Sequence, residues 1–412
     1  MSNITTKQRM PFYIVLSACA LVVLGDLRNV ITPFGYWALW GLVLASGALV
    51  VKAGRIYKDI VFLCASFGFA ILVLALLIAG LANADAYTAY QAAKFIMIYA
   101  VFVVVYANSQ FLDIDDFYRI SATATGIGLV VFIISKYWLS DYYIVLGDGR
   151  QGSLFAYPGV LWKTSAFFCA FMIAKMLSSP ISRIMITTFV LVSSVYLLLA
   201  DSSRTGFLWF AVIIIAFASI VFLLNTARML SIVSILILLF GLFAVFNLDA
   251  IYGFLDGKSL LVVNRLFEGD PIRSKMLSDG ILNAEACLPL GCGFQSSTSI
   301  VAGQPMVIHN VYLAILGDLG ALGEIGLLII VLSPLLFFAL REWFSGPAAA
   351  PVAYYKLAAY LGASCFCFLL LFHPLSSEMS EWGYWAIMLS WLSRLSNMGE
   401  SSELAQEMST KL

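Results

Sequence analysis

The chain has 412 residues, of which 62% are hydrophobic and 11% are charged, and its formal net charge is zero. Ordinary soluble domains carry roughly 25% charged residues, so this composition excludes such a domain and predicts an integral membrane protein. The zero net charge identifies no partner, and no nucleic-acid partner is expected.

Apolar runs recur along the whole chain and predict membrane-spanning helices. A hydrocarbon core of about 30 Å needs roughly 20 apolar residues in helical form. Barrel strands would alternate apolar and polar residues, and these runs do not, so we expect an all-α polytopic protein. Hydropathy predicts about 12 spans, near residues 11–25, 34–51, 60–82, 91–108, 119–138, 161–177, 184–200, 206–224, 229–248, 320–340, 352–372 and 381–396.

The N-terminal residues superficially imitate a secretory signal, because Lys7 and Arg9 precede an apolar run from Pro11 to Gly25. No small-residue cleavage pattern follows, and further spans begin almost at once, so we expect a retained first helix. Short cytoplasmic loops collect Lys and Arg. Counted from an inside N-terminus, most cations fall on the inner side, which predicts that both termini are cytoplasmic.

Three segments on the outer side stand out under this topology. They are residues 141–158, the turn DSSRTG at 201–206, and a long loop at 249–308 between spans 9 and 10. The long loop contains helix-compatible sequence at 272–286 and then the glycine-punctuated turn PLGCGFQSS. Cys287 and Cys292 are close enough there to form a disulfide in an oxidising periplasm, and their spacing alone leaves the pairing open.

Arginines on the outer side oppose the positive-inside bias, so each needs a reason. Arg204 is the clearest case, because it lies in a tight turn between two apolar spans. Its planar guanidinium suits phosphate, and the helix that follows offers free N–H groups at its start. The alternative is that Arg204 pairs with Asp201 or reaches lipid headgroups. The long loop carries four cations against six anions, so anion binding there depends on individual arginines.

His309 is one of only two histidines and precedes an apolar span. Imidazole titrates near physiological pH and can take a proton from a hydroxyl, which makes His309 a candidate general base. The alternative is an interfacial residue, and that is the interpretation given to His373, which falls on the same side. Asp318 and Glu324 lie at the edge of the span and are expected to cap a segment or pair with a cation. Close helix packing is predicted by glycines at three-residue spacing, namely Gly317, Gly320, Gly323 and Gly326.

Several kinds of site have no support in the sequence. There is no Walker loop, no Rossmann glycine fingerprint and no His/Cys metal cluster. We therefore expect no cofactor and no metal site. A transporter with inverted repeats would show two matching interrupted helices, and that signal is missing.

Three segments, in this order, carry a resemblance to one family. SSRTGFL around Arg204 looks like an outer-turn arginine motif. IRSKMLSDGILNAEACLPLGCGF resembles an arginine, an apolar helix and then Pro-Leu-Gly-x-Gly, and IHNVYLAILGDLGALGEIGLL is similar to a His-Asn entry into a glycine-bearing helix. The chain thereby resembles the bacterial O-antigen ligase and polymerase superfamily, mainly over residues 200–340. Those proteins are inner-membrane glycosyltransferases that use undecaprenyl-diphosphate-linked glycans on the periplasmic side.

The resemblance implies a single membrane domain over residues 1–412, with part of a periplasmic active site in the loop at 249–308. Arg204 and Arg273 would hold the donor diphosphate and neutralise charge on the leaving group. His309 would deprotonate or orient the attacking sugar hydroxyl. The reaction would be a metal-independent, inverting glycosyl transfer, and the implied substrate-binding residues are Arg265, Arg150, Asn310 and Tyr312.

The residues Val-Tyr-Leu-Ala after Asn310 look more like polymerases of O-antigen, capsule or exopolysaccharide than like ligases. The expected function is therefore polymerisation of lipid-linked repeat units in the inner membrane, and the resemblance allows a chain-length regulator as a partner. The alternative is a ligase that transfers the lipid-linked glycan to lipid A-core. A more remote alternative is a transporter or flippase, which would concentrate ionisable residues at mid-membrane.

Overall fold

A computed structural model describes residues 6–50, 59–147, 149–178, 184–224, 271–344 and 350–410. The described chain is dominated by helices. These are α1 (Thr6–Val23), α2 (Arg28–Val50), α3 (Ile60–Ala82), α4 (Ala86–Ser109), α5 (Ile114–Tyr137), α6 (Leu161–Ser178), α7 (Ile184–Asp201), α8 (Arg204–Leu224), α9 (Pro271–Cys287), α10 (Val311–Val331), α11 (Ser333–Phe344), α12 (Ala350–Leu370) and α13 (Met379–Thr410).

Two short antiparallel hairpins interrupt the helices. In the first, β1 (Tyr143–Val145) pairs with β2 (Gln151–Ser153), and Ile144 lies opposite Gly152. In the second, β3 (Thr298–Val301) pairs with β4 (Gln304–Val307). Both hairpins fall in segments that the sequence places outside the membrane.

Many of the described helices are suited to a lipid bilayer, so the protein is a multi-pass, helical membrane protein. Seven helical stretches of the described chain are long and apolar enough to cross a membrane, and α1 and α7 contribute shorter apolar stretches. The predicted span at 229–248 lies outside the described residues, as does the predicted loop as far as residue 270. The total of about 12 spans remains a prediction.

Several helices begin earlier than hydropathy predicts, because polar side chains cap them. Asp85 accepts hydrogen bonds from the amides of Tyr87 and Thr88, so α4 begins at Ala86 and not near residue 91. Asn310 caps α10 in the same way, through Leu313 N at 3.1 Å. The prediction that this span starts at residue 320 is therefore wrong, since nine further residues precede it in the helix.

The centre of the helix bundle is formed by α6 and α13. Nearly every side chain of α6 is buried, and α13 contributes the buried rings of Trp382, Trp385 and Trp391. Phe69 of α3 lies against two of these rings, with centroid distances of 5.6 Å to Trp382 and 5.2 Å to Trp385. Aromatic pairs of this kind stabilise a core beyond their buried area. The segments at the ends of these two helices are therefore attached to a well-packed core.

Gly326 of α10 has the packing function that the glycine spacing predicts, whereas Gly320 has a different one. Gly326 faces the backbone of α3, where an added Cβ would lie 2.9 Å from Leu72 N and 3.1 Å from Gly68 O. Gly320 has φ +70° and ψ −167° and interrupts the helix. Only glycine adopts such angles without strain. The interruption frees backbone groups of α10 for other partners.

The predicted turn after α9 docks into this interruption. Ala321 N donates to Pro289 O at 3.1 Å, and Gly293 N donates to Asp318 O at 2.9 Å. The segment is closed by a disulfide between Cys287 and Cys292. The helix predicted at 272–286 is also confirmed, as α9. These bonds fix α9 to the first half of α10.

Asp318 holds the same segment from within the helix. Its carboxylate accepts hydrogen bonds from Gln295 N at 2.6 Å, from Ser297 N at 2.7 Å and from the Ser296 hydroxyl at 3.1 Å. The partners that bind Asp318 in the structure are thus loop amides and a hydroxyl, and of the two expectations for this residue the cap is the one observed. Glu324, further along α10, has an oxygen with no hydrogen-bond partner among the described residues.

Candidate active site

Segments from distant parts of the chain meet in a cavity of about 180 Å³. Three guanidinium groups and two imidazoles line it, and among the described residues that line it there is no carboxylate. The lining residues are Arg150, Gly159, Trp162, Ser203, Arg204, Thr205, Arg273, His309, Phe372, His373 and Pro374. The cavity is thus a concave, cation-rich site at one end of the helix bundle.

Arg204 enters the cavity from the tight connection between α7 and α8. Ser202 takes a left-handed conformation there, with φ 52°, which reverses the chain within two residues. The Ser203 hydroxyl then accepts a hydrogen bond from Gly206 N at 3.3 Å. Gly206 lies against Trp162, where an added Cβ would be 2.9 Å from the ring. Arg204 is therefore the first residue of α8, where the positive end of the helix dipole favours an anion.

Arg150 lies in the cavity wall and is held from behind by Asp201. Its Nε donates to the carbonyl oxygen of Asp201 at 2.9 Å, and its terminal nitrogen pairs with the carboxylate. The same carboxylate accepts Gly159 N and Trp162 N, each at 2.8 Å. Asp201 is one of the partners expected for Arg204, and in the structure its carboxylate forms an ion pair with Arg150. One buried carboxylate thus connects the β1–β2 hairpin, the start of α6 and the end of α7.

Arg273 reaches the cavity from the first turn of α9. Its guanidinium carbon lies 5.7 Å from the ring centroid of Phe372, which is within the range of a cation–π contact. Asn283 anchors the same helix by donating to Thr298 O at 2.8 Å. The docking of α9 on α10 therefore sets where Arg273 lies relative to His309.

His309 precedes α10 and lies in two cavities at once. The second cavity, of about 300 Å³, shares Arg273, His309 and Phe372 with the first. Its other lining residues are mostly apolar, namely Ser274, Met276, Leu277, Ile308, Asn310 and Leu371. His309 thus marks the boundary between a cation-rich space and an apolar one.

Not every residue that the sequence predicts for the site is placed there. Arg150, Arg204, Arg273 and His309 line the first cavity, and Asn310 lines the second while its side-chain oxygen caps α10. The hydroxyl of Tyr312 donates to Cys367 O at 3.2 Å, and Tyr312 lines neither cavity. Tyr312 lies inside α10 on the side that faces α12, whereas His309 precedes the helix. Arg265 lies outside the described residues.

His373 is the residue that the sequence interpretation missed. It lies between α12 and α13, lines the first cavity, and its ring centroid is 6.4 Å from that of Trp162. Its Nδ1 is 3.5 Å from Oε1 of Glu381, and Lys163 Nζ is 2.9 Å from the same oxygen. A usable signal was present in the sequence, since Lys163 and Glu381 both lie at span ends on the side of His373.

Burial lowers the pKa of His373 below its ordinary value, and the positive charge of Lys163 lowers that pKa further. Glu381 acts in the opposite direction, and His309 adds a smaller decrease. The neutral imidazole is therefore favoured. Within the described chain, no group of three or more His, Cys, Asp or Glu side chains is arranged to hold a metal ion.

No protein-family model matches this chain, and no curated protein matches it.

Proposed function

We propose that the protein is a periplasm-facing glycosyltransferase of the inner membrane that polymerises undecaprenyl-diphosphate-linked repeat units. One observation carries the proposal. Arg204, Arg273 and His309 come from separate segments, and all three line a single cavity. Their motifs are the same three that resemble the O-antigen ligase and polymerase superfamily.

The charge of the cavity suits a diphosphate leaving group. Guanidinium groups form paired, charge-assisted hydrogen bonds with phosphate oxygens, and a helix start adds free backbone N–H groups. Negative charge grows on the diphosphate as the bond to the sugar breaks. Donors fixed around that position stabilise the transition state more than the ground state. Arg204 and Arg273 would supply this stabilisation without a metal ion.

The apolar cavity beside it fits the other part of such a donor. Met276, Leu277 and Leu371 line this space, and His309 lies where it joins the cation-rich cavity. A lipid diphosphate needs an apolar path and a charged site side by side. In the proposed reaction His309 orients or deprotonates the attacking sugar hydroxyl, and a single displacement inverts the configuration at the sugar carbon.

Two other functions, those of a ligase and of a transporter, can be distinguished from that of a polymerase. A ligase of the same superfamily would use the same donor and pass the glycan to lipid A-core. A transporter would need charged groups along a path through the membrane. In the described chain the cations gathered around one cavity belong to helix ends and loops, which favours a transferase.

The deciding experiment replaces Arg204 or His309 with Ala in the organism that encodes the chain, and separates the surface glycans on a gel. Loss of the long-chain ladder with one repeat unit still on lipid A-core indicates a polymerase, and loss of every repeat indicates a ligase. Arg28→Ala is the matched control, because Arg28 pairs with Glu378 at 3.0 Å and does not line the cavity. Unchanged glycans in both cavity variants, at equal protein levels, would refute the proposal.

A further inference from the structure

The second histidine of the cavity has a supporting chain behind it. Lys163 on α6, Glu381 on α13 and His373 in the loop before α13 form a row of ion contacts that ends at the cavity. The exposed fraction of the side chain rises along the row, from 2% for Lys163 through 15% for Glu381 to 22% for His373. The row thus runs from the interior of the bundle to the site.

The geometry gives His373 the orientation of a proton acceptor. Because Nδ1 faces the Glu381 carboxylate, a proton on Nδ1 is stabilised there, and Nε2 on the other side of the ring keeps its lone pair. A histidine oriented by a carboxylate in this way is the arrangement that serves general bases, since the carboxylate also stabilises the imidazolium that forms. Lys163 contacts the same carboxylate oxygen, Oε1, and is itself buried.

The two histidines occupy different parts of the site. His309 lies at the boundary with the apolar cavity and beside Arg273, whereas His373 lines only the cation-rich cavity and lies beside Trp162. If a lipid diphosphate spans the boundary, His309 is next to the diphosphate. His373 is then the imidazole on the side from which the acceptor sugar approaches.

We propose that His373, oriented by Glu381, is the general base that takes the proton of the attacking acceptor hydroxyl, which leaves His309 with the orienting role. This inference rests on the proposed glycosyl transfer. The hydroxyl oxygen forms a bond to the anomeric carbon of the donor while its proton moves to Nε2 of His373. The bond between that carbon and the diphosphate oxygen breaks, and its electron pair leaves with the diphosphate. The imidazolium afterwards loses its proton to solvent.

The charged and titratable groups around His373 shift its pKa, and they therefore determine the pH range in which it can act as a base. They are Glu381 from α13, Lys163 from α6, His309 before α10, and the cavity guanidiniums of Arg150, Arg204 and Arg273. Only Glu381 among these raises the pKa of His373. Removing its charge therefore shifts the titration of His373 to lower pH and weakens the base.

The test uses membranes that contain the full chain and undecaprenyl-diphosphate oligosaccharide extracted from the same organism, with release of undecaprenyl diphosphate measured from pH 5 to pH 9. His373→Gln is expected to lower the maximal rate at least 100-fold, the usual minimum for a general base, and to remove the fall in rate at low pH. Glu381→Gln is expected to lower the rate and move that fall to lower pH. Glu381→Asp keeps the charge and is expected to retain the profile.

Glu378→Gln is the matched control, because Glu378 lies in the same segment and pairs with Arg28 and Lys94 away from the cavity. Its rate and pH profile should equal those of the parent. Inorganic pyrophosphate is the probe for correct folding: it should protect His373→Gln against heat as it protects the parent, and should fail to protect Arg204→Ala.

Two results distinguish a failure of the His373 assignment from a failure of the proposed function. If Arg204→Ala is inactive while His373→Gln keeps the parent rate and pH profile, His373 is not the base and the proposed transferase stands. If Arg204→Ala also releases undecaprenyl diphosphate at the parent rate, the proposed function fails and this inference fails with it.

Discussion

Asp201 illustrates how one buried carboxylate organises a site that it does not line. Its side chain is fully buried and contacts Arg150 and the amides of Gly159 and Trp162. Each of these partners lies in the cavity wall. A buried ion pair is weak evidence for stability, but removing one partner leaves an uncompensated charge in a low dielectric. Losing the Asp201 charge should therefore lower the free energy of unfolding by more than losing an exposed ion pair does.

We predict that Asp201→Asn destabilises the protein by about 3–5 kcal/mol. The amide keeps one acceptor oxygen but loses the charge opposite Arg150, and its NH₂ group faces an amide that needs an acceptor. The measurement is the midpoint temperature of unfolding in detergent, which should fall markedly. Arg119→Gln is the control, since Arg119 forms an exposed pair with Asp116 at 4.0 Å. Equal midpoints for the two variants would contradict the prediction.

At the residue scale, sequence reasoning identified the residues that looked out of place. Arg204 opposes the positive-inside bias, and His309 is a rare residue beside a predicted span. His373 was equally rare, but its carboxylate partner Glu381 comes from the next helix, eight residues later in the chain. Hydropathy places Lys163, His373 and Glu381 on one side of the membrane but does not show that they pair. The resemblance implies Tyr312 as a site residue, and its hydroxyl instead donates to Cys367 O of α12.

At the scale of single elements, α10 is the one that most affects the site. It begins two residues after His309, breaks at Gly320, and accepts the turn after α9 at that break. The relative position of Arg273 and His309 therefore depends on the conformation of one glycine. Glycine spacing predicted close packing, but it could not predict a positive φ, because that angle is set by the loop that docks there.

We predict that Gly320→Ala lowers both stability and activity. The left-handed backbone costs a non-glycine residue about 1–3 kcal/mol, and the added Cβ would collide with the carbonyl oxygen of Pro289. The unfolding midpoint and the length of the surface glycan ladder report the two effects. Gly126→Ala makes the same change where no heavy atom lies within 4 Å of the new Cβ. That control is expected to be neutral or slightly stabilising, and an equally neutral Gly320→Ala would overturn the argument.

Helix boundaries mark the limit of what hydropathy can predict. The span predicted at 60–82 coincides with α3, and that at 184–200 with α7 to within one residue. The starts of α4 and α10 were placed too late. A hydropathy window detects the apolar middle of a helix, whereas the first turn is determined by the cap, and Asp85 and Asn310 are polar.

At the scale of the whole molecule, three segments that the predicted topology puts on one side of the membrane meet in the structure. Residues from the hairpin at 143–153, the turn at 201–205 and the loop that ends at 309 line one cavity. Counting the predicted spans was enough to put these segments on the same side of the membrane. It could not bring them into contact, which depends on α6 and α13 lying at the centre.

We predict that the cavity faces the periplasm. Gln304→Cys, at the exposed start of β4, should react with a membrane-impermeant maleimide added to intact cells with a permeable outer membrane. Phe111→Cys, in the exposed connection between α4 and α5, should react only after the inner membrane is opened. Labelling is scored as the increase over the parent chain. The reverse pattern would invert the topology and exclude a periplasmic transferase.

The pairing of Arg150 with Asp201 also sets an order of events during biogenesis. The two residues are 51 positions apart, with α6 and most of α7 between them. The nascent chain delivers the guanidinium first, and it must stay hydrated at the membrane surface while two further helices are inserted. Only when Asp201 arrives can Arg150, the start of α6 and the following turn lock together. A translation intermediate that ends before Asp201 therefore lacks the ion pair that joins these three segments.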